Sequence, residues 1–173
     1  MIDLTPGARH RREVAALYAA AREGVVRYLV TSGMDRDTAE EAAQDAFLRL
    51  YTALRDGEEI REPKNWVYRV ARNMALNAIK RSAAQPAVSA ALEATAASAE
   101  PGAEDRLIQE EWLEGFREAV SRLSERQRLC LELRAQGLKY RDIAELLEIR
   151  ISTAAEFVRR GIEELKKWNQ SAT

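Results

Sequence analysis

Some side chains in this chain have the types and spacing needed to recognise a partner. Trp66, Tyr68, Arg69, Arg72, Asn73, Lys80 and Arg81 interleave aromatic rings with positive charge along one helical segment. Arginine and lysine neutralise phosphates, and aromatic faces stack on unpaired bases, so this combination suits a partly melted nucleic-acid strand. Glu40, Glu41, Gln44 and Asp45 fall on the polar side of a helix whose other side is apolar, an acidic patch suited to a basic partner surface. Further on, helical segments at residues 140–147 and 152–168 follow a leading helix and are separated by a turn of a few residues. That spacing reads as a helix-turn-helix, whose second helix enters the major groove of DNA.

Nothing in the chain has the pattern of a catalyst. There is no glycine-rich phosphate loop, no Ser/His/Asp set and no convergent pair of carboxylates on one helix face, so no catalytic residue and no cofactor is expected. A lone cysteine, Cys130, and a lone histidine, His10, exclude a disulfide framework or a Cys/His zinc site built within the chain. Cys130 stands between Leu129 and Leu131 and is expected to be a small core residue. His10 is expected to be solvated in a frayed N-terminus.

The elements that position these residues are all helical. Of 173 residues, 46% are apolar and 32% charged, aromatics make up only 6%, and Ala, Leu, Glu and Arg are abundant, which favours helix over sheet. Lys+Arg 27 against Asp+Glu 28 leaves a net charge of −1, so any contact with DNA must be local. No apolar run is long enough for a membrane span or for the core of a signal peptide, and a cytoplasmic protein is expected.

Residues 82–105, rich in Ala and Ser and interrupted by Pro86, Pro101 and Gly102, read as a flexible linker between two small helical domains, residues 1–81 and 106–173. In the first domain, Val14, Leu17, Tyr18, Val25, Val26 and Leu29 make one amphipathic helix that ends near Ser32 and Gly33. Asp37 with Glu40 reads as a capping box opening a second helix, along which Ala39, Ala43, Ala46, Phe47, Leu50 and Leu54 recur. Asp56-Gly57 and Pro63 bracket a polar loop, after which Val67, Val70 and Met74 carry a third helix. In the second domain, Leu107, Trp112, Phe116 and Val120 are expected to face inward, and Ser124 with Gln127 caps a helix that stops at Gly137.

At DRDTAEEAAQDAFLRLYTAL (residues 35–54) and PKNWVYRVARNMALNAIKR (residues 63–81) the chain resembles region 2 of the extracytoplasmic-function class of sigma factors. At LSERQRLCLELRAQGLKYRDIAELLEIRISTAAEFVRRGIEEL (residues 123–165) it resembles region 4 of the same class. The two segments stand in the family's order with its usual spacer. The resemblance implies an alternative sigma factor without chemistry of its own, which docks on core RNA polymerase and directs promoter recognition. By the same resemblance, Glu41, Gln44, Asp45 and Tyr51 dock the clamp helices of the largest subunit. Lys64, Trp66, Arg69, Arg72 and Asn73 recognise and melt the minus-ten promoter element, with residues 57–64 as the loop that captures a flipped base; Trp66 also fits a core position. Region 4 meets the polymerase flap and reads the minus-thirty-five element. The linker threads the polymerase channel, and the free protein is a monomer held by an anti-sigma factor.

The second segment departs from the family pattern. Glu148 stands where the turn usually carries Gly, and a non-Gly residue in the left-handed conformation costs on the order of 1 kcal/mol. Ala155, Glu156 and Phe157 stand where basic and polar residues are usual, which leaves Arg150, Ser152, Thr153, Arg159 and Arg160 as the candidates for DNA contact. Phe157 is expected either in the core of a rotated helix or as an exposed contact for a partner. Asn77 replaces a frequent Asp, with only a local effect expected. Two other readings fit parts of the pattern. One is a plain helix-turn-helix regulator binding a palindrome as a homodimer, and the other is a sigma-like decoy that binds an anti-sigma factor or polymerase but no promoter.

Overall fold

The computed structural model describes residues 6–82 and 103–171. The first domain is three helices, α1 (Pro6–Thr31), α2 (Arg36–Arg55) and α3 (Pro63–Ser82). The reason they pack is visible in α2. Ala39, Ala43 and Ala46 form a stripe of side chains small enough to let α1 approach closely, and all three are fully buried. Phe47 closes the stripe by meeting Tyr18 edge to face, with ring centroids 5.0 Å apart. From the other side α3 contributes Val67, Tyr68, Ala71 and Ala75, and Tyr68 meets Tyr28 edge to face at 5.6 Å.

The helix starts differ in detail from the sequence reading, for local reasons. Pro6 opens α1, where its fixed φ and missing N–H cost nothing, so His10 lies inside a helix and is half-buried rather than frayed. The cap of α2 is Asp35, whose carboxylate accepts the Thr38 amide at 2.9 Å, and not Asp37. Asp37 instead sits in the first turn. Glu40 does not reach back to a cap; Arg22 and Arg36 hold it at 3.1 Å each.

The second domain is α4 (Ala103–Ser121), α5 (Glu125–Ala135), α6 (Tyr140–Leu147) and α7 (Ile151–Ser171). Its linker-side border comes earlier than expected, since α4 is already helical at Ala103; most of the expected linker lies outside the described residues. The capping box at Ser124 and Gln127 forms as read, and Gly137 takes φ +85° where α5 ends. Leu129, Cys130, Leu133, Ile143, Leu146, Ala154 and Val158 build the core between α5, α6 and α7. Burial pushes the Cys130 thiol up to about 11, which makes it an inert packing group.

The expected inner stripe of α4 is corrected at Trp112, which is 48% exposed. It stacks on Phe116, with centroids 5.4 Å apart, and meets Trp168 of α7 edge to face at 5.4 Å. Gly115 makes room for this arrangement, because a side-chain carbon there would stand 3.0 Å from the Trp168 indole nitrogen. Phe116 and Val120 of the expected stripe are half-buried, and Ala119 and, just beyond the end of α4, Leu123 are buried. The Leu107 side chain lies outside the described residues.

The two domains touch. α1 lies along α5, and α3 meets α6. No described helix is long and apolar enough to cross a membrane. Asp35→Ala should destabilise the first domain by about 1 kcal/mol in urea unfolding, through loss of the cap. Asp37→Ala should cost only about 0.3 kcal/mol, the contribution of a first-turn charge to the helix dipole.

Candidate functional site

The outward face of α2 is narrower than its sequence suggests. Glu41 and Gln44 are exposed. Asp45 is half-exposed and pairs with Arg49 one turn on, at 3.0 Å. Tyr51 is half-buried and packs partly against the core. Leu48, one turn beyond Gln44, is 57% exposed on the same face. Sequence reasoning passed over it, although a leucine on the polar side of an amphipathic helix was a usable signal.

On α3 the aromatic and basic residues separate. Tyr68 is fully buried, so it is a core residue and not a platform for bases; burial raises its pKa, with Glu132 adding to the rise. Tyr28, packed against it, is likewise pushed up to about 12 by burial, a rise that the charge of Arg72 opposes. Trp66 packs partly against the core, the structural role its position allowed. Asn73 and Lys80 are exposed.

Three other cations of α3 have partners across the domain boundary. Lys64 Nζ donates to the carbonyl oxygen of Gln136 at the end of α5. Arg69 Nη1 lies 3.0 Å from Glu145 Oε1 on α6, and Arg72 Nη2 lies 3.0 Å from Glu148 Oε1 in the turn after it. Each of these groups therefore meets the second domain. A crevice of about 180 Å³ opens beside them, lined by Asn65, Arg69, Arg141, Asp142 and Glu145 among others.

On the helix-turn-helix, Glu148 adopts φ 54°, ψ 47°, the left-handed conformation expected at that turn. Among the described residues no other non-glycine has positive φ. Arg150, Ile151 and Ser152 are exposed at the start of α7, and Thr153 is half-buried. One turn along, Glu156 accepts from Arg159 Nη2 at 2.7 Å and from Arg160 Nε at 2.6 Å, and Arg159 also reaches Glu163. These donors hold the Glu156 carboxyl down to about 2 and raise the Arg159 pKa further. The clamp is therefore closed at neutral pH. A depressed carboxyl pKa makes it an interaction present above the ordinary value of 4.5 and lost only as pH falls towards 2. Phe157 packs against the core and Ala155 is half-buried, so the apolar side of this stretch faces inward. Among the described residues no cluster of side chains is arranged to hold a metal ion.

Residues 17–85 match the family model of sigma-70 region 2, and residues 113–165 match that of sigma-70, region 4. The RNA polymerase sigma-H factor of Pseudomonas aeruginosa is 28% identical over 145 residues, covering 77% of this chain and 74% of that protein. Among solved structures, the sigma factor RpoE in complex with the anti-sigma factor NepR from Bartonella quintana superposes with a TM-score of 0.64 at 20% identity. That likeness covers 92% of this chain and 96% of the other. CnrH in complex with the cytosolic domain of CnrY gives 0.53 at 15% identity, covering 96% of each. At these identities the structures speak for the fold alone.

Glu156→Gln should free guanidinium charge on α7 without disturbing the core. The full chain should then bind duplex DNA more tightly at low salt, and its log affinity should fall more steeply with log salt, by about 1 for each phosphate newly contacted. A titration by fluorescence anisotropy at several salt concentrations checks this.

Proposed function

The chain belongs to the sigma-70 family, in its extracytoplasmic-function class, and from that premise we propose that it is an alternative sigma factor that brings core RNA polymerase to a set of promoters. The observation that carries the reading is the ordered pair: a region 2 domain with a cationic helix, followed by a region 4 domain with a helix-turn-helix, both matched in one chain. In this reading the protein performs no covalent chemistry. It positions polymerase and stabilises unpaired DNA.

The outward face of α2, with Glu41, Gln44, Asp45 and the half-buried Tyr51, is the surface for the clamp helices of the largest polymerase subunit. Exposed Leu48 adds apolar contact in the middle of that acidic face, a combination suited to a basic and partly apolar partner. Lys64, Arg69, Arg72 and Asn73 are the minus-ten contacts, with Trp66 anchoring the helix from below. Arg150, Ser152 and Thr153 at the start of α7 are the groups best placed for base edges of the minus-thirty-five element, since the first turn of a recognition helix points into the groove. Arg159 and Arg160 contribute less there, because Glu156 already answers their charge. The flap of the second-largest subunit is the expected polymerase partner of this domain. The fold is shared with the sigma factor RpoE solved with the anti-sigma factor NepR, which supports an anti-sigma factor as a further partner.

A plain helix-turn-helix regulator explains α6 and α7 but gives the acidic face of α2 and the cations of α3 no task. A decoy that binds an anti-sigma factor alone draws on the closed Glu156 clamp, and the clamp leaves the α3 contacts untouched.

Charge reversal at Glu41 and Asp45 together should weaken binding to core polymerase by about tenfold or more, with circular dichroism unchanged. Unchanged affinity would remove the clamp-docking assignment. Arg72→Ala with Asn73→Ala should leave core binding nearly intact yet block promoter opening, read by permanganate reactivity of unpaired thymines. Normal opening would make these two residues structural.

A further inference from the structure

Ile151 is an apolar side chain among polar ones. It opens α7 between Arg150 and Ser152, both exposed, and is itself 54% exposed. The core does not draw on it. From the same helix Ala154 and Val158 are buried and Phe157 packs against the core, which completes the inward face without Ile151. Single exposed apolar residues are common on protein surfaces, and what sets this one apart is its place.

That place is fixed from behind. Glu148 turns the chain in the left-handed conformation, Ile149 packs against the core, and the Arg150 carbonyl accepts the Ala154 amide at 3.0 Å, closing the first turn around Ile151. Ile151 and Ser152 are therefore the first two residues of the second helix of a helix-turn-helix, the part that meets base edges when such a helix enters the major groove. Ala155 follows on the side of Ile151 one turn on, half-buried and too short to hold a base pair away. Beyond it Glu156 takes up the charge of Arg159 and Arg160, so discrimination between bases falls to this first turn.

An isoleucine side chain can neither donate nor accept a hydrogen bond. The base edges in the major groove are polar, with the C5 methyl of thymine as their apolar group. Against that methyl, Ile151 removes two apolar surfaces from water. Against cytosine it would cover an amino donor, and against guanine two acceptors, with nothing to pair them, a cost that rejects those bases. The branch at Cβ restricts χ1, so the side chain gives up little freedom in making the contact.

We propose that Ile151 is a specificity-determining residue, which seats the methyl group of one thymine of the minus-thirty-five element against its side chain. The proposal rests on the reading of the chain as a sigma factor whose α7 enters the major groove. The preference it confers is for the methyl itself, so uracil, which pairs as thymine does, is not accepted in its place.

The test uses holoenzyme assembled from core RNA polymerase and the full chain, on a promoter obtained by run-off transcription of genomic fragments. Each thymine of the minus-thirty-five element, on either strand, is replaced in turn by deoxyuridine, which removes the methyl and leaves base pairing unchanged. Holoenzyme affinity is read by competition. One such replacement should weaken binding about fourfold, the worth of one buried methyl. Ile151→Ala should bind the thymine promoter more weakly and no longer distinguish it from the deoxyuridine form, whereas Ile151→Val, still branched and apolar, should distinguish them. Because Ile151 is exposed, both variants should melt at the temperature of the parent. An element in which no single deoxyuridine matters, or which holds no thymine, overturns the proposal and leaves the sigma reading in place. So does an equal loss with Ile151→Ala. If the chain and core polymerase together give no transcript from any fragment, the sigma reading fails and the thymine contact falls with it.

Discussion

The fold is organised by the enclosure of α1. Val25, Val26, Tyr28 and Leu29 are near-consecutive and all but inaccessible, which on a helix means that most of its circumference is covered. α2 and α3 cover one part and α5 another, so both domains are built against one element. The bare backbone at Gly24 lets the end of α5 come close, and once α5 is seated, α6 and its turn fall opposite α3. The placement of every charged group along the contact between the domains follows from that packing.

A net charge near zero acquires a different meaning in this setting. It points away from a protein that coats nucleic acid, yet the charges are segregated and not absent. Positive groups collect on α3 and on α7, and in both places carboxylates of the same chain answer them: Glu145 and Glu148 across the domain boundary, Glu156 and Glu163 along α7. Affinity for a polyanion depends on which cations are free to release counterions, so these pairings govern DNA affinity more directly than the total does.

Local codes made much of this readable from the sequence. The Ser124/Gln127 box, the stop at Gly137, the alanine stripe of α2 and the left-handed turn at Glu148 each depend on a few neighbouring residues, and each appears where it was read. The choice of Asp35 over Asp37 was not legible, because two good capping residues stand two apart and either could have opened the helix. Tyr68 reads as part of an aromatic and basic surface until Tyr28 and α5 are seen to close over it. Trp112 fits an inward stripe by period alone, but α4 leaves its ring at the rim. The Glu156 clamp was legible, since Glu with Arg at i+3 and i+4 is a standard helical pair; weighing Glu156 only against the DNA backbone hid it. The contact between the domains leaves no local trace in the sequence, because its partners are as many as 105 residues apart.

The most direct test of the account is run-off transcription with purified core polymerase on fragmented genomic DNA, with and without the purified chain. Discrete transcripts should appear that need both components and that vanish when Arg72 and Asn73 are replaced by alanine. A chain that adds no transcript to core polymerase, and instead binds a palindromic duplex as a homodimer, would contradict it.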